Sequence, residues 1–134
     1  MSKWSKTTRD KSHLEIQKEL RKRGFCVVDC AGMGDDVPDL LVASRQTCAF
    51  VELKESIDSA ITTAQIKWIA SYPYNVMIAL SIDDILSAMQ FNEFFLRQSQ
   101  KDKMLQIAIR QEAKSIDANP RITVKRLRKL MYAE

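Results

Sequence analysis

The chain has 134 residues, 46% of them apolar, which is enough for one compact domain with its own core and too few for two independent domains. The net charge of +4 hides an asymmetry: residues 1–23 carry eight Lys/Arg against three acids, residues 101–134 carry nine against four, and the segment between carries four against ten. No apolar run approaches the roughly 20 residues that cross a bilayer, and MSKWSKTTRDKS lacks the apolar core of a signal peptide, so the protein is expected to stay where it is made, in the cytoplasm.

In chain order, Thr7, Thr8 and Asp10 are candidate caps for a first helix running to about Arg23, with Gly24 in the helix-ending position. FCVVDC reads as a strand, and AGMGDDVP, with Gly32, Gly34 and Pro38, as a loop. DLLVA and CAFVELK read as two strands joined through SRQT, most simply as a hairpin. A helix is expected from about Thr62 to Tyr72, because Pro73 pushes the residue before it out of the helical region. NVMIAL reads as a strand, Ser81 caps a helix expected across IDDILSAMQFNEFFLRQ, and 101–134 reads as two helices separated by DANPR. The fold class is therefore α/β, in the order α-β-β-β-α-β followed by C-terminal helices, with residues 1–100 as the core and 101–134 as a basic helical extension of the same domain. Cys26, Cys30 and Cys48 lie in strand-like segments without the paired spacing of a zinc site, and are expected to be reduced, buried and inert.

The hairpin carries the chemistry. With a symmetric loop of two residues (Arg45, Gln46) or four, the register sets Asp39 directly opposite Glu52. Like charges in that position are destabilising, their Cβ atoms being about 4.5–5.5 Å apart. Alternation puts Phe50, Glu52 and Lys54 on one face of the second strand, and Val51 and Leu53 on the other. Two carboxylates and an ammonium converge. They form either an ion cluster neutralised by Lys54 or a divalent-cation site with a lysine beside it, since magnesium and manganese take hard oxygen ligands.

Pro38-Asp39, followed after one hairpin by Glu52-Leu53-Lys54, resembles the active-site signature of the PD-(D/E)XK nuclease superfamily. The stretch GFCVVDCAGMGDDVPDLLV…AFVELK…AQIKWI is similar to the virus-type replication-repair nuclease branch and to Holliday junction resolvases, over about Ser12 to Leu80. The resemblance implies a restriction-endonuclease-like αβββαβ core with a mixed sheet. It implies a Mg²⁺- or Mn²⁺-dependent deoxyribonuclease acting on branched or structured DNA in repair or recombination, in a bacterial or phage-infected cell. Asp39 and Glu52 would hold the metal with the backbone carbonyl of Leu53, Lys54 would serve the attacking water and the phosphate, and Gln65 matches a glutamine on the following helix. Relatives that stand alone are often homodimers, so a homodimer is expected.

The chain departs from the pattern at one place. A glutamate is usual eleven residues before the glycine that opens the first strand, and counting back from Gly24 reaches His13. Glu15 is no substitute: His13, Ile16, Gln17 and Leu20 share the face that packs on the sheet, whereas Glu15 falls with Lys18, Glu19 and Lys22 on a charged face. His13 is either a metal ligand in the glutamate's place or an ordinary packed histidine. Gln65 also has two readings, since Thr62-Thr63-Ala64-Gln65 is a capping box in which it bonds back to its own helix start.

At the C-terminus, TVKRLRKLM places Val124, Leu127 and Met131 on one stripe, with Lys125, Arg126, Arg128 and Lys129 around it. These cations and Lys11 are the candidate contacts to a phosphate backbone, although charge runs are commonly just solvated faces. FNEFFL is expected in the core or at a dimer contact. Two rival readings share the fold: a DNA-binding module without catalysis, and a structural subunit that docks on a replication partner through its last helices.

Overall fold

The structure, a computed structural model, describes residues 11–133; the candidate caps Thr7, Thr8 and Asp10 lie outside the described residues. Helix α1 (Lys11–Lys22) buries Gln17 and Leu20 and leaves Glu15 exposed, as its apolar spacing predicts. It ends on Gly24 at φ +94°, where Gly24 N–H donates to Arg21 O (3.0 Å) and Phe25 N–H to Leu20 O (3.1 Å). This paired bonding of the last carbonyls needs a left-handed residue, which glycine supplies without steric cost.

The central sheet has the order β1-β2-β3-β5, built from β1 (Cys26–Asp29), β2 (Leu40–Ala43), β3 (Cys48–Leu53) and β5 (Val76–Ala79). The first two pairings are antiparallel and β3–β5 is parallel, so the sheet is mixed. A parallel pair needs a crossover. Here β4 (Ala60–Thr62) and helix α2 (Thr63–Ser71) make it. Thr62 is the N-cap of α2 and Tyr72 its C-cap, matching the expected limits.

One sheet face, with Val42, Val51, Leu53 and Met77, packs against Leu20 of α1 and against Ile85 and Ala88 of α3 (Ile82–Phe91). The other, with Phe50, Val76 and Ile78, packs against α2, α4 (Gln98–Lys114) and α5 (Val124–Met131). Residues 101–133 therefore complete the second core, and Met104, Leu127 and Met131 are fully or almost fully buried in it. The α5 stripe of Val124, Leu127 and Met131 is buried as its spacing requires.

Four details differ from expectation. The helix expected across residues 82–98 stops at Phe91, because Asn92 takes the left-handed conformation (φ 58°) that asparagine tolerates at a helix end. Phe95 and Leu96 then enter the two cores while Phe91 and Phe94 stay exposed. The segment between the last two helices is not a bare link: β6 (Arg121–Thr123) pairs antiparallel with β4, and both three-residue strands are too short to announce themselves in sequence. Only Cys30 is buried. Cys26 and Cys48 are exposed, because both stand opposite Ala43, on the part of the second sheet face where Val28 is also exposed.

Candidate active site

The hairpin closes as a symmetric turn, with Ser44 N–H donating to Thr47 O (2.8 Å) and Ser44 Oγ accepting from Gln46 N–H and Thr47 N–H. The register runs Leu40↔Val51, Leu41↔Phe50, so Asp39, one residue before β2, falls across from Glu52. Asp39 is held from both sides. Its carbonyl accepts from Cys30 N–H (2.7 Å), and its Oδ2 accepts from Leu53 N–H (2.8 Å).

Glu52 is 4% exposed, a position that an ionised carboxylate occupies only with compensation. Its Oε2 lies 3.4 Å from Lys54 Nζ and 3.5 Å from Gln65 Nε2. Lys54 Nζ also donates to Ala60 O (2.9 Å), which anchors the ammonium between β3 and β4. Both readings of Gln65 hold at once: its Oε1 accepts from Thr62 N–H (3.0 Å) to complete the capping box, and its Nε2 is thereby aimed at Glu52.

The electrostatics follow from burial and crowding. Burial pushes the Glu52 carboxyl up from 4.5 to about 8, the charge of Asp39 adds to the rise, and Lys54 offsets part of it. Burial also raises Asp39, against the opposing pull of the Leu53 N–H, His13 and Lys54. Near neutral pH the pair therefore retains a proton, and a bound cation would displace it.

His13 reaches the same strand end from α1, in a cleft of about 200 Å³ lined also by Ile16, Leu53, Lys54 and Leu80. It is half-buried, and it is near enough to Asp39 to offset part of the rise that burial causes there. Among the described residues, no three His, Cys, Asp or Glu side chains sit close enough together to ligate one ion. The donor set in place is two adjacent carboxylates. That fits a cation such as Mg²⁺, which is commonly bound by one or two carboxylates while keeping several waters.

Two acids near the site carry no motif signal. Asp36, in a left-handed conformation (φ 62°), is close enough to raise Glu52 further, and Asp29 raises Asp39 while accepting a hydrogen bond from buried Gln17 (3.2 Å). The doubled aspartate after Gly34 was the available clue. Of the candidate phosphate contacts, Lys11, Lys125, Arg126 and Lys129 are exposed. Arg128 is half-buried and lines a cleft of about 310 Å³ with Phe94, Leu127 and Met131. No helix among the described residues is long and apolar enough to cross a membrane. Comparison of the chain with known protein families, curated proteins and solved structures gives no match.

Proposed function

We propose that this chain is a divalent-metal-dependent DNA endonuclease on a restriction-endonuclease-like core, acting on branched or structured duplex, as a homodimer that would supply two active sites. One observation carries the reading: the hairpin register sets Asp39 across from Glu52 at a buried strand end, with Lys54 Nζ 3.4 Å from the glutamate. A fold that gained nothing from this pair would replace one acid by a hydrophobe.

A Mg²⁺ or Mn²⁺ ion held by Asp39, Glu52 and the Leu53 carbonyl would supply Lewis-acid polarisation of the phosphoryl oxygen and a more acidic water, with His13 left beside the site and not among the ligands. The chain's own groups do the rest. Leu53 N–H fixes the Asp39 carboxylate, and Gln65, locked by its capping box, orients Glu52. Lys54, held by Ala60 O and Glu52, presents its remaining N–H to a phosphate oxygen or to the attacking water, and steadies charge as it accumulates.

The test is cleavage of a panel of linear, nicked and branched DNA with Mg²⁺ or Mn²⁺. Cleavage of at least one substrate is expected, abolished in Lys54→Ala and Glu52→Gln; no cleavage of any substrate with either metal overturns the proposal. A second reading, a DNA-binding module without catalysis, draws on the standoff of His13 from the carboxylate pair. It predicts salt-sensitive DNA binding with neither cleavage nor stabilisation by Mn²⁺.

A further inference from the structure

A cleft of about 680 Å³ lies between α4, β6 and α5, away from the carboxylate pair. Its floor is apolar, from Ile107, Ile122 and Leu130, and its rim carries Arg110, Lys114, Arg121 and Arg126, with no acid in the lining. All four cations are exposed, and none has a hydrogen bond or ion pair from its side chain among the described residues. Some surface cations elsewhere are engaged, such as Lys67 with Glu112 (3.0 Å), Arg23 with Glu19 (2.9 Å) and Lys103 with Ala133 O (2.6 Å), whereas these four are unengaged and gathered round one cleft. Four like charges gathered from three elements repel one another, and a polyanion relieves that repulsion.

We infer that this cleft grips the sugar-phosphate backbone of the DNA away from the scissile bond, an inference that rests on the nuclease reading. The fold ties the cleft to the catalytic lysine. Gln111 Nε2 donates to Arg121 O (3.0 Å), joining α4 to β6, and β6 pairs with β4, whose Ala60 O holds Lys54 Nζ. The cleft is thus joined to Lys54 through one strand pairing and one side-chain hydrogen bond.

A single bound phosphate is a poorer occupant. The first amides of α5 that would hold it are already spent, Val124 N–H on Ser59 O (2.9 Å), Lys125 N–H on Ile57 O (2.8 Å) and Arg126 N–H on Thr123 Oγ1 (3.1 Å). What remains is a row of flexible cations over an apolar floor, suited to an extended anion. Arg110, Lys114 and Arg121 come from parts of the sequence without a basic run.

The experiment is fluorescence anisotropy of the full chain with a fluorescein-labelled DNA duplex in EDTA, repeated over a range of salt concentrations. The triple variant R110A/K114A/R121A is expected to bind at least about tenfold more weakly and to lower the slope of log K against log salt by about 2–3. R110K/R121K, which keeps the charge, is expected to keep the slope, and circular dichroism checks that each variant is folded. An unchanged slope in the folded triple variant overturns the cleft while leaving the nuclease reading standing. No binding of duplex by the wild-type chain also overturns it, and the cleavage panel then decides separately whether the nuclease reading falls. Tighter wild-type binding of an acidic peptide than of duplex, lost in the triple variant, assigns the cleft to a protein partner and overturns it as well.

Discussion

Two buried charges in this molecule are treated in opposite ways. Lys101, 3% exposed in the first turn of α4, sits where α2 ends and gives its ammonium to Tyr72 O (2.6 Å) and Tyr74 O (2.7 Å). Those carbonyls are the negative end of a helix and its following turn, so the lysine caps α2 and bolts α4 onto it. Glu52, 4% exposed, faces a second carboxylate and has one shared lysine and a long contact to Gln65. A buried charge whose work is structural is met by fixed dipoles of opposite sign; the carboxyl at the hairpin end is not, and burial beside a second carboxylate pushes it up to about 8.

The sharpest break in this comparison is in activity. Glu52→Gln and Lys54→Ala should each lower DNA cleavage by about 10²–10³-fold or more in single-turnover assays, the size of losing one preorganised charged group. Lys101→Met should leave the cleavage step near its wild-type rate in the fraction that is folded. Stability should rank the two the other way. Lys101→Ala strands two carbonyls and opens a void, at a cost of about 2–4 kcal/mol in urea unfolding, with Lys101→Met costing less. Glu52→Gln should be neutral or stabilising in the absence of metal, by about 1–3 kcal/mol at pH 8, because it removes the like-charge conflict while keeping the volume.

The pH dependence separates the same two regions. The folded pKa of Glu52, about 8, lies above the ordinary 4.5, so the folded chain holds more protons than the unfolded one between those values. Metal-free stability should therefore fall as pH rises from about 4.5 to 8. Asp39 is raised and contributes with the same sign. Thermal melts across that window should show the slope and Glu52→Gln should flatten it, whereas Lys101→Met should not, because burial lowers the lysine's pKa and its contribution has the opposite sign. Mn²⁺ at tenfold its Kd should add about 1.4 kcal/mol of stability, with release of protons below pH 8, and Glu52→Gln should lose the effect. The smallest change is at Gln65: Gln65→Ala should cost about 0.5–1 kcal/mol through the lost capping box, and should weaken the orientation of Glu52 as a modest fall in kcat.

The hairpin was legible because its determinants are local. Strand alternation and a symmetric turn together fix which residues oppose, so Asp39 and Glu52 could be paired on paper. Gln65 was legible in part. Its capping box is a four-residue pattern, but its reach to Glu52 depends on how α2 lies over the sheet. His13 was placed on the packing face of α1 by its spacing with Ile16, Gln17 and Leu20, yet its distance from the carboxylates depends on how that helix docks. The β4–β6 pairing could not be read, since it joins two three-residue runs about sixty positions apart. The unpaired cations of the second cleft were hidden for the same reason.

What the sequence determined alone is what periodicity and local chemistry encode: the α/β order, the helix limits at Gly24 and around Pro73, the hairpin register and the convergence of Asp39, Glu52 and Lys54. Tertiary structure decided what depends on long-range burial. It left Cys26 and Cys48 in solvent, stopped α3 at Asn92, turned Lys101 into a helix cap and raised Glu52 to about 8. The physical reason is common to these outcomes. Whether a side chain is solvated, and which charges it meets, is a property of the elements that close over it, and those come from distant parts of the chain.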